Sequence, residues 1–146
     1  MRIGHIIIAA AALGAATPAA AQSWNRVTGN ADAVSYVDAD SLRRVGDKIY
    51  GYYISVYATP IDDWIYSSGI HAEFACSQNY FRTLEYTYYD RGGGLLRTEP
   101  SETIDEHKVP QPGSLNESIF GFVCEGTGGT PVGDPFIDAP RYWDHN

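Results

Sequence analysis

With 146 residues, the chain is long enough for one domain of ordinary size and short for several. Its 18 acidic and 10 basic residues give a net charge of −8, which repels phosphate backbones and anionic lipid and so disfavours nucleic acid and membrane surfaces as partners. Basic partners remain compatible with this charge.

The first 21 residues have the organisation of a bacterial signal peptide. Arg2 supplies a positive charge, an apolar run of about 11 residues follows, and Ala19-Ala20-Ala21 matches the small-x-small pattern that signal peptidase cuts. A transmembrane anchor would need about 20 apolar residues. We expect cleavage after Ala21. Since a lipoprotein needs Cys at its first mature position, Gln22 predicts a protein without a membrane anchor, either periplasmic or secreted.

The mature chain opens with two predicted strands. Residues 23–28 and 33–37 are rich in aromatic and β-branched side chains, and Gly29-Asn30 between them favours a turn. Residues 38–44 are predicted to form a short helical turn. Asp38 would be its N-cap, because the carboxylate can accept hydrogen bonds from free backbone N–H groups.

Asp38 and Asp40 also have the spacing that begins a calcium-binding EF-hand loop. Such a loop continues to Gly at its sixth position and Glu at its twelfth, where this chain has Arg43 and Ile49. We therefore interpret Asp38 as a capping residue and expect no metal site in this segment.

Four further segments are predicted to be strands. They span residues 48–58, 70–77, 80–89 and 95–98. Apolar and polar side chains alternate most cleanly in residues 70–77, which places Cys76 on the apolar, inward face. A Gly-rich turn at residues 90–94 joins the last two strands as a hairpin.

The segment before Cys124 changes to helical periodicity. Ser114 and Glu117 have the spacing of a capping box, and apolar residues then recur at helical intervals. These apolar residues are Leu115, Ile119, Phe122 and Val123. The helix is predicted to end at Cys124, with Gly126 as its stop, and it is the only helix that the pattern predicts.

Cys76 and Cys124 are the only two cysteines, and an even number in an oxidising compartment favours a disulfide. A two-Cys metal or redox site would need C-x-x-C spacing or neighbouring histidines. Closing a loop of about 49 residues should stabilise the fold by roughly 4 kcal/mol.

The predicted fold is α+β, a single antiparallel sheet of about five to six strands covered on one face by the disulfide-tied C-terminal helix. This domain spans residues 22–125, and a Gly/Pro-rich tail follows at residues 126–146.

Candidate catalytic and metal-binding groups are dispersed along the chain. His71, His107 and His145 lie far apart and lack the H-E-x-x-H spacing of metal sites. Asp62-Asp63 and the carboxylates of residues 99–106 fall in loop-like segments, where solvated charge is ordinary. No nucleophile elbow, phosphate-binding glycine loop or Ser/His/Asp order occurs. The sequence predicts a protein that is not an enzyme and that uses neither metal nor cofactor.

The eleven tyrosines are the feature that suggests a partner, because they exceed what one small core can use. Tyr offers a broad, amphipathic contact area. Along residues 80–89, alternation predicts Tyr80 and Tyr86 on one face. Thr83 is expected on the other. The outer sheet face or an edge strand is the predicted binding surface, and sheet-filling tyrosines with solvated hydroxyls are the equally weighted alternative.

Five motifs occur in a characteristic order between Ser23 and Glu125. They are Trp24-Asn25-Arg26-Val27, Asp38-Ala39-Asp40-Ser41-Leu42, Phe74-Ala75-Cys76, Tyr88-Tyr89-Asp90 with its Gly-rich turn, and Pro112-Gly113-Ser114 leading to Val123-Cys124. This order resembles the surface-adhesin protein E family, an exported bacterial group. The resemblance implies an antiparallel sheet with a C-terminal helix tied to its concave side by a disulfide between Cys76 and Cys124.

The resemblance also implies a function. The family's named member is a lipoprotein adhesin that binds host extracellular-matrix and serum proteins and haem, and that can form a homodimer. This chain departs from it at Gln22, where no lipid can be attached. The leading interpretation is a soluble, exported, non-catalytic module that recognises a protein or a small ligand. The alternative is a structural, envelope-associated module without a specific ligand.

Overall fold

The computed structural model describes residues 22–62 and 64–146, so the predicted signal peptide, residues 1–21, lies outside the described residues. The described residues form seven strands and two α-helices. These are β1 (Trp24–Gly29), β2 (Ala33–Val45), β3 (Lys48–Tyr57), β4 (Ser67–Ala75), β5 (Tyr80–Tyr89), β6 (Leu95–Pro100), α1 (Leu115–Glu125), β7 (Thr130–Pro131) and α2 (Pro135–His145). Neither helix is long and apolar enough to cross a membrane.

The strands form one antiparallel sheet in the order β6-β5-β4-β3-β2-β1-β7. The first six strands are therefore neighbours in chain order, as short hairpin connections require. The predicted α+β class with a single antiparallel sheet is confirmed. The predicted count of five to six strands is wrong, because the two-residue strand β7 adds a seventh by pairing with β1.

Residues 38–44 are not a helical turn, which corrects the prediction. Strand β2 runs on to Val45, and its pairing with β3 is irregular between Asp38 and Arg43. The Asp38 carboxylate accepts hydrogen bonds from the backbone N–H groups of Ser23 (3.0 Å) and Asp40 (3.1 Å). Asp38 therefore satisfies free amide groups as predicted for a cap, but the Asp40 N–H belongs to the irregular part of β2 and the Ser23 N–H precedes β1, so neither belongs to a helix.

Helix α1 begins after the predicted cap at Ser114 and stops at the predicted Gly126, but it runs one residue beyond the predicted end, to Glu125 rather than Cys124. The Ser114 hydroxyl accepts from the backbone N–H of Glu117 (3.2 Å), and the Glu117 carboxylate accepts from the N–H of Gly113 (2.7 Å). Gly126 ends the helix with a φ of 68°, a left-handed conformation that favours glycine. One buried core joins this helix to the sheet. It contains Ile119, Phe120 and Val123 of α1 with Val37, Ile49, Tyr53, Ile70, Ala72, Phe74 and Phe81.

The predicted disulfide between Cys76 and Cys124 is confirmed, with the two Cα atoms 5.5 Å apart. Cys76 directly follows β4, and Cys124 lies in the last turn of α1. The bridge therefore fastens the end of the helix to the sheet face that the helix covers.

A second helix covers the opposite face of the sheet, which the prediction of a single covered face missed. Along β3, Ile49 and Tyr53 point into the core beneath α1, whereas Ile54 and Val56 point to the other face. A separate buried core lies there. It contains Trp24, Val34, Tyr36, Ile54, Val56 and Ala139, with Phe136, Tyr142 and Trp143 packed against it. The segment predicted as a Gly/Pro-rich tail thus contributes β7 and α2 to the fold.

Candidate functional site

The two helices leave the β5–β6 end of the sheet largely uncovered. Helix α1 packs over β1 to β4 and helix α2 packs over β1 to β3. On the α1 side of the sheet, Tyr86 lies opposite Glu99 and Tyr88 lies opposite Arg97, and side chains directly opposite each other share a face. We call these four side chains the tyrosine surface.

The tyrosine surface is an ordered stack rather than a set of scattered rings. The rings of Tyr86 and Tyr88 lie nearly parallel, with centroids 5.9 Å apart and 10° between their planes. The Arg97 guanidinium lies 4.6 Å from the centroid of the Tyr88 ring, and its Nε donates to Glu99 at 3.3 Å. Both tyrosines are half-buried, so part of each ring faces solvent. Rigid aromatic rings beside an arginine are typical of protein-binding surfaces.

Burial and a hydrogen bond to the Glu99 carboxylate raise the pKa of Tyr88 above its usual range. The phenol therefore stays protonated at neutral pH. The surface presents aromatic rings, a carboxylate and a guanidinium, and this combination suits contact with the side chains of another protein.

A cleft of about 260 Å³ continues the tyrosine surface towards the end of β6. Ser101 and Thr103 line it, and the Ser101 hydroxyl lies 2.9 Å from that of the buried Thr83. The Lys108 ammonium donates to the hydroxyls of Thr83 (3.0 Å) and Thr103 (2.8 Å). The cleft thus adds hydroxyl groups held in place by a lysine.

Strand β6 forms the edge of the sheet next to the tyrosine surface. No other strand of the described residues pairs with its outer side. Leu95 is 67 % exposed and Leu96 is 43 % exposed. An exposed strand edge with apolar side chains is a template for pairing with a further strand.

The histidines named from the sequence are not brought together. His71 is exposed and contacts the Tyr52 ring edge-on, and His107 stacks on Tyr80 with centroids 3.9 Å apart. His145 lies in the last turn of α2. Within residues 22–62 and 64–146, no group of three or more potential metal ligands occurs.

The carboxylates named from the sequence have separate surroundings. Asp62 forms an isolated bridge with Ile65, and Asp63 is outside the described residues. Glu99 belongs to the tyrosine surface, and Glu102 lines the neighbouring cleft. Part of the 99–106 segment therefore lies beside Tyr86 and Tyr88, a position that loop-like composition alone did not reveal.

A buried carboxylate that the sequence did not single out lies on the other face of the sheet. The Glu73 side chain is only 5 % exposed, and it accepts from Arg82 Nε and Nη2 (2.9 Å each) and from the Tyr50 hydroxyl (2.6 Å). These donors, Arg82 above all, lower the pKa of Glu73. Both of its oxygens accept hydrogen bonds from the two neighbouring strands, β3 and β5, so we interpret it as structural.

Comparison with known families matches one family model, described as surface-adhesin protein E, over residues 24–125. No curated protein and no solved structure matches the chain. The matched region begins with the first residue of β1 and ends with the last residue of α1. It includes the disulfide and the tyrosine surface, whereas β7 and α2 follow it in the chain.

Proposed function

The chain belongs to the surface-adhesin protein E family, and from that premise we propose that it is an exported, non-catalytic module that binds another protein through the tyrosine surface. Family membership and the disulfide support export, since disulfides persist in oxidising compartments. We place the protein in the periplasm or outside the cell.

The observation that carries this proposal is the partly exposed stack of Tyr86, Tyr88 and Arg97 beside an open strand edge. Tyr and Arg are enriched among the residues that dominate binding energy at interfaces. Helix α1 covers β1 to β4 and helix α2 covers β1 to β3, so β5 and β6 are left largely uncovered. A partner can therefore reach both the tyrosine rings and the backbone edge of β6.

Charge indicates the kind of protein that would bind. The chain has a net charge of −8. At the site itself, Arg97 and Lys108 offset Glu99 and Glu102, so the long-range attraction comes from the chain as a whole. Electrostatic attraction would speed association with a partner that presents a basic surface. We therefore propose a partner whose contact surface carries lysine and arginine, and we expect binding to weaken as salt is raised.

The test is a direct binding measurement with the processed, disulfide-bonded chain. The probes are a panel of purified extracellular-matrix and serum proteins together with haem, the ligand classes that the family resemblance implies. The double variant Tyr86→Ala/Tyr88→Ala should weaken binding at least about tenfold, as loss of interface hot spots does. Tyr80→Ala is the matched control, because Tyr80 lies on the same strand but on the opposite face. Absence of saturable binding, or equal loss in both variants, would contradict the proposal.

The exposed edge of β6 favours a second candidate, a structural envelope-associated module that pairs with a second copy of itself. Leu95 and Leu96 would then lie within the interface. Sedimentation of the processed chain would reveal a dimer, and Leu95→Lys/Leu96→Lys should convert it to monomer. A wild-type monomer at high concentration would exclude this candidate.

A further inference from the structure

A separate concavity lies on the α2 side of the sheet, where α2 meets the end of β3 and the β5–β6 hairpin. Its volume is about 240 Å³, and its walls include Val56, Tyr66, Phe136 and Trp143, with Arg91 at the hairpin. Three of these five side chains are aromatic. None of them belongs to the tyrosine surface. We call this concavity the α2 cavity.

The walls of the α2 cavity are held in place by contacts outside it. The Phe136 ring meets the Tyr89 ring edge-on with centroids 5.6 Å apart. The same ring packs so closely on Gly93 that a Cβ there would lie 3.0 Å from it. The Trp143 indole donates to the backbone carbonyl of Asn30 at 2.9 Å. The cavity is therefore preformed, so a ligand would not have to order its walls.

Arg91 gives the α2 cavity a defined charge. Its guanidinium lies 4.8 Å from the centroid of the Tyr66 ring, and Nη2 lies 3.4 Å from the Tyr66 hydroxyl. Among residues 22–62 and 64–146, no carboxylate lies within ion-pair distance of Arg91, and none lines the cavity. The neighbouring Asp90 instead accepts from the backbone N–H groups of Gly92 and Gly94.

We propose that the α2 cavity binds a small aromatic carboxylate. Aromatic walls favour a flat ring, which gains from offset or edge-to-face contacts. The guanidinium has five N–H donors in a planar fork that matches a carboxylate, and most of these donors face no acceptor in the described residues. A volume below the range of about 300–1,000 Å³ typical of drug-sized ligands restricts the ligand to roughly one ring and a short acidic arm.

The positive charge of Arg91 favours an anionic ligand over a cationic or neutral one. A cation would be repelled by Arg91, and none of the described residues that line the cavity carries a carboxylate to attract it. A neutral ring would gain the aromatic contacts alone. Because the protein as a whole carries a net charge of −8, it repels anions at long range. Selection for an anion must therefore come from Arg91 at close range.

Calorimetric titration of the processed chain with 3-phenylpropionate and its neutral amide tests the proposal, with tryptophan fluorescence as a second readout. We expect saturable binding of the carboxylate and at least about tenfold weaker binding of the amide, the difference that a hydrogen bond to a charged group supplies. Arg91→Gln should remove this difference by weakening only the carboxylate. Arg44→Gln, which removes an exposed charge elsewhere, should preserve it.

Three outcomes would overturn the proposal: no saturable carboxylate binding at millimolar concentration, equal affinity for acid and amide in the wild type, or equal losses in the two arginine variants. The result does not depend on the proposed protein-binding function. The Tyr86→Ala/Tyr88→Ala variant should bind 3-phenylpropionate as the wild type does.

Discussion

Arg26 of β1 donates two hydrogen bonds to the Asp138 carboxylate of α2, at 2.9 and 2.7 Å, although 112 residues separate them in the chain. The Tyr36 hydroxyl donates to the same carboxylate at 2.9 Å. Arg26 and Tyr36 lie within the region that matches the family, whereas Asp138 lies beyond it. A polar contact therefore anchors the added helix to the family's sheet.

Replacing Asp138 by Asn should loosen this anchor. The amide keeps the shape of the carboxylate but loses its charge, so Arg26 is left half-buried without a counter-ion. We expect a loss of about 1–3 kcal/mol in the free energy of unfolding, measured by urea denaturation. Asp144→Asn, at an exposed position of the same helix, is the control and should change stability little. Equal midpoints for both variants would show that the ion pair does not hold α2.

Gly29 provides a second test of how α2 is docked. A Cβ at this position would lie 2.7 Å from the ring of Tyr142, so Gly29→Ala should displace this ring and disturb the packing of α2 on the sheet. We expect destabilisation of about 1–3 kcal/mol, as for overpacking. Adding Tyr142→Ala should recover part of this loss, since it removes the clash and makes the two effects non-additive.

Gly133→Ala is the matched control for Gly29→Ala, because a Cβ at Gly133 would have no atom within 4 Å and the φ of Gly133 is not in the left-handed range. It should leave stability nearly unchanged. If Gly29→Ala is as mild as this control, or if Tyr142→Ala only adds to the damage, α2 does not pack on β1 as described.

The α1 half of the fold could be predicted because each of its signals is local. The Ser114 and Glu117 cap, the Gly126 stop and the alternation before Cys76 each depend on a few adjacent residues. Helix α2 could not be predicted in this way, because Pro140 inside it argues against a helix. Pro135 falls at the helix start, where proline is tolerated, and Asp134 caps it, but packing on a distant core decides the outcome.

The faces of β5 show why alternation alone misplaces Tyr80 and Thr83. The register between β4 and β5 shifts between His71 and Ala72, so Thr83 lies opposite Ala72 while Glu85 lies opposite His71. Thr83 therefore shares a face with Tyr86, and Tyr80 lies on the other face, contrary to the prediction. A β-bulge reverses which face the following side chains occupy, and no residue type in this strand indicates that a bulge is present.

Removing the disulfide should destabilise the α1 half of the fold. Cys76→Ala/Cys124→Ala is expected to cost about 2–4 kcal/mol, because the unfolded chain regains the freedom that the 48-residue separation closes off. Urea denaturation of the wild type with and without reductant provides the comparison. Reduced wild type and the double variant should have similar midpoints, both well below that of the oxidised protein. Indistinguishable midpoints for all three would mean that the bridge does not stabilise the fold.

Glu73 predicts a specific dependence of stability on pH. Its pKa is lowered in the folded protein, chiefly by Arg82, so its contribution to stability is fully present above the unfolded pKa of about 4.3 and is lost as pH falls through the lower folded value. Glu73→Gln should therefore be less stable than the wild type at pH 7, by about 1–3 kcal/mol. The difference in the free energy of unfolding between the two proteins should stay constant down to about pH 5 and decrease at more acidic pH.

The control for Glu73→Gln is Glu85→Gln, at an exposed position of the neighbouring strand, and it should leave stability at pH 7 nearly unchanged. Denaturation midpoints from pH 7 to pH 3 give the comparison. In the wild type, protonation of Glu73 at pH 3 should remove the same interaction that the amide lacks. A difference in stability between Glu73→Gln and the wild type that stays the same at pH 3 would therefore mean that the variant loses stability through packing. A gap that widens at low pH would contradict the lowered pKa itself, because it would require the carboxyl group to favour the folded state more when protonated.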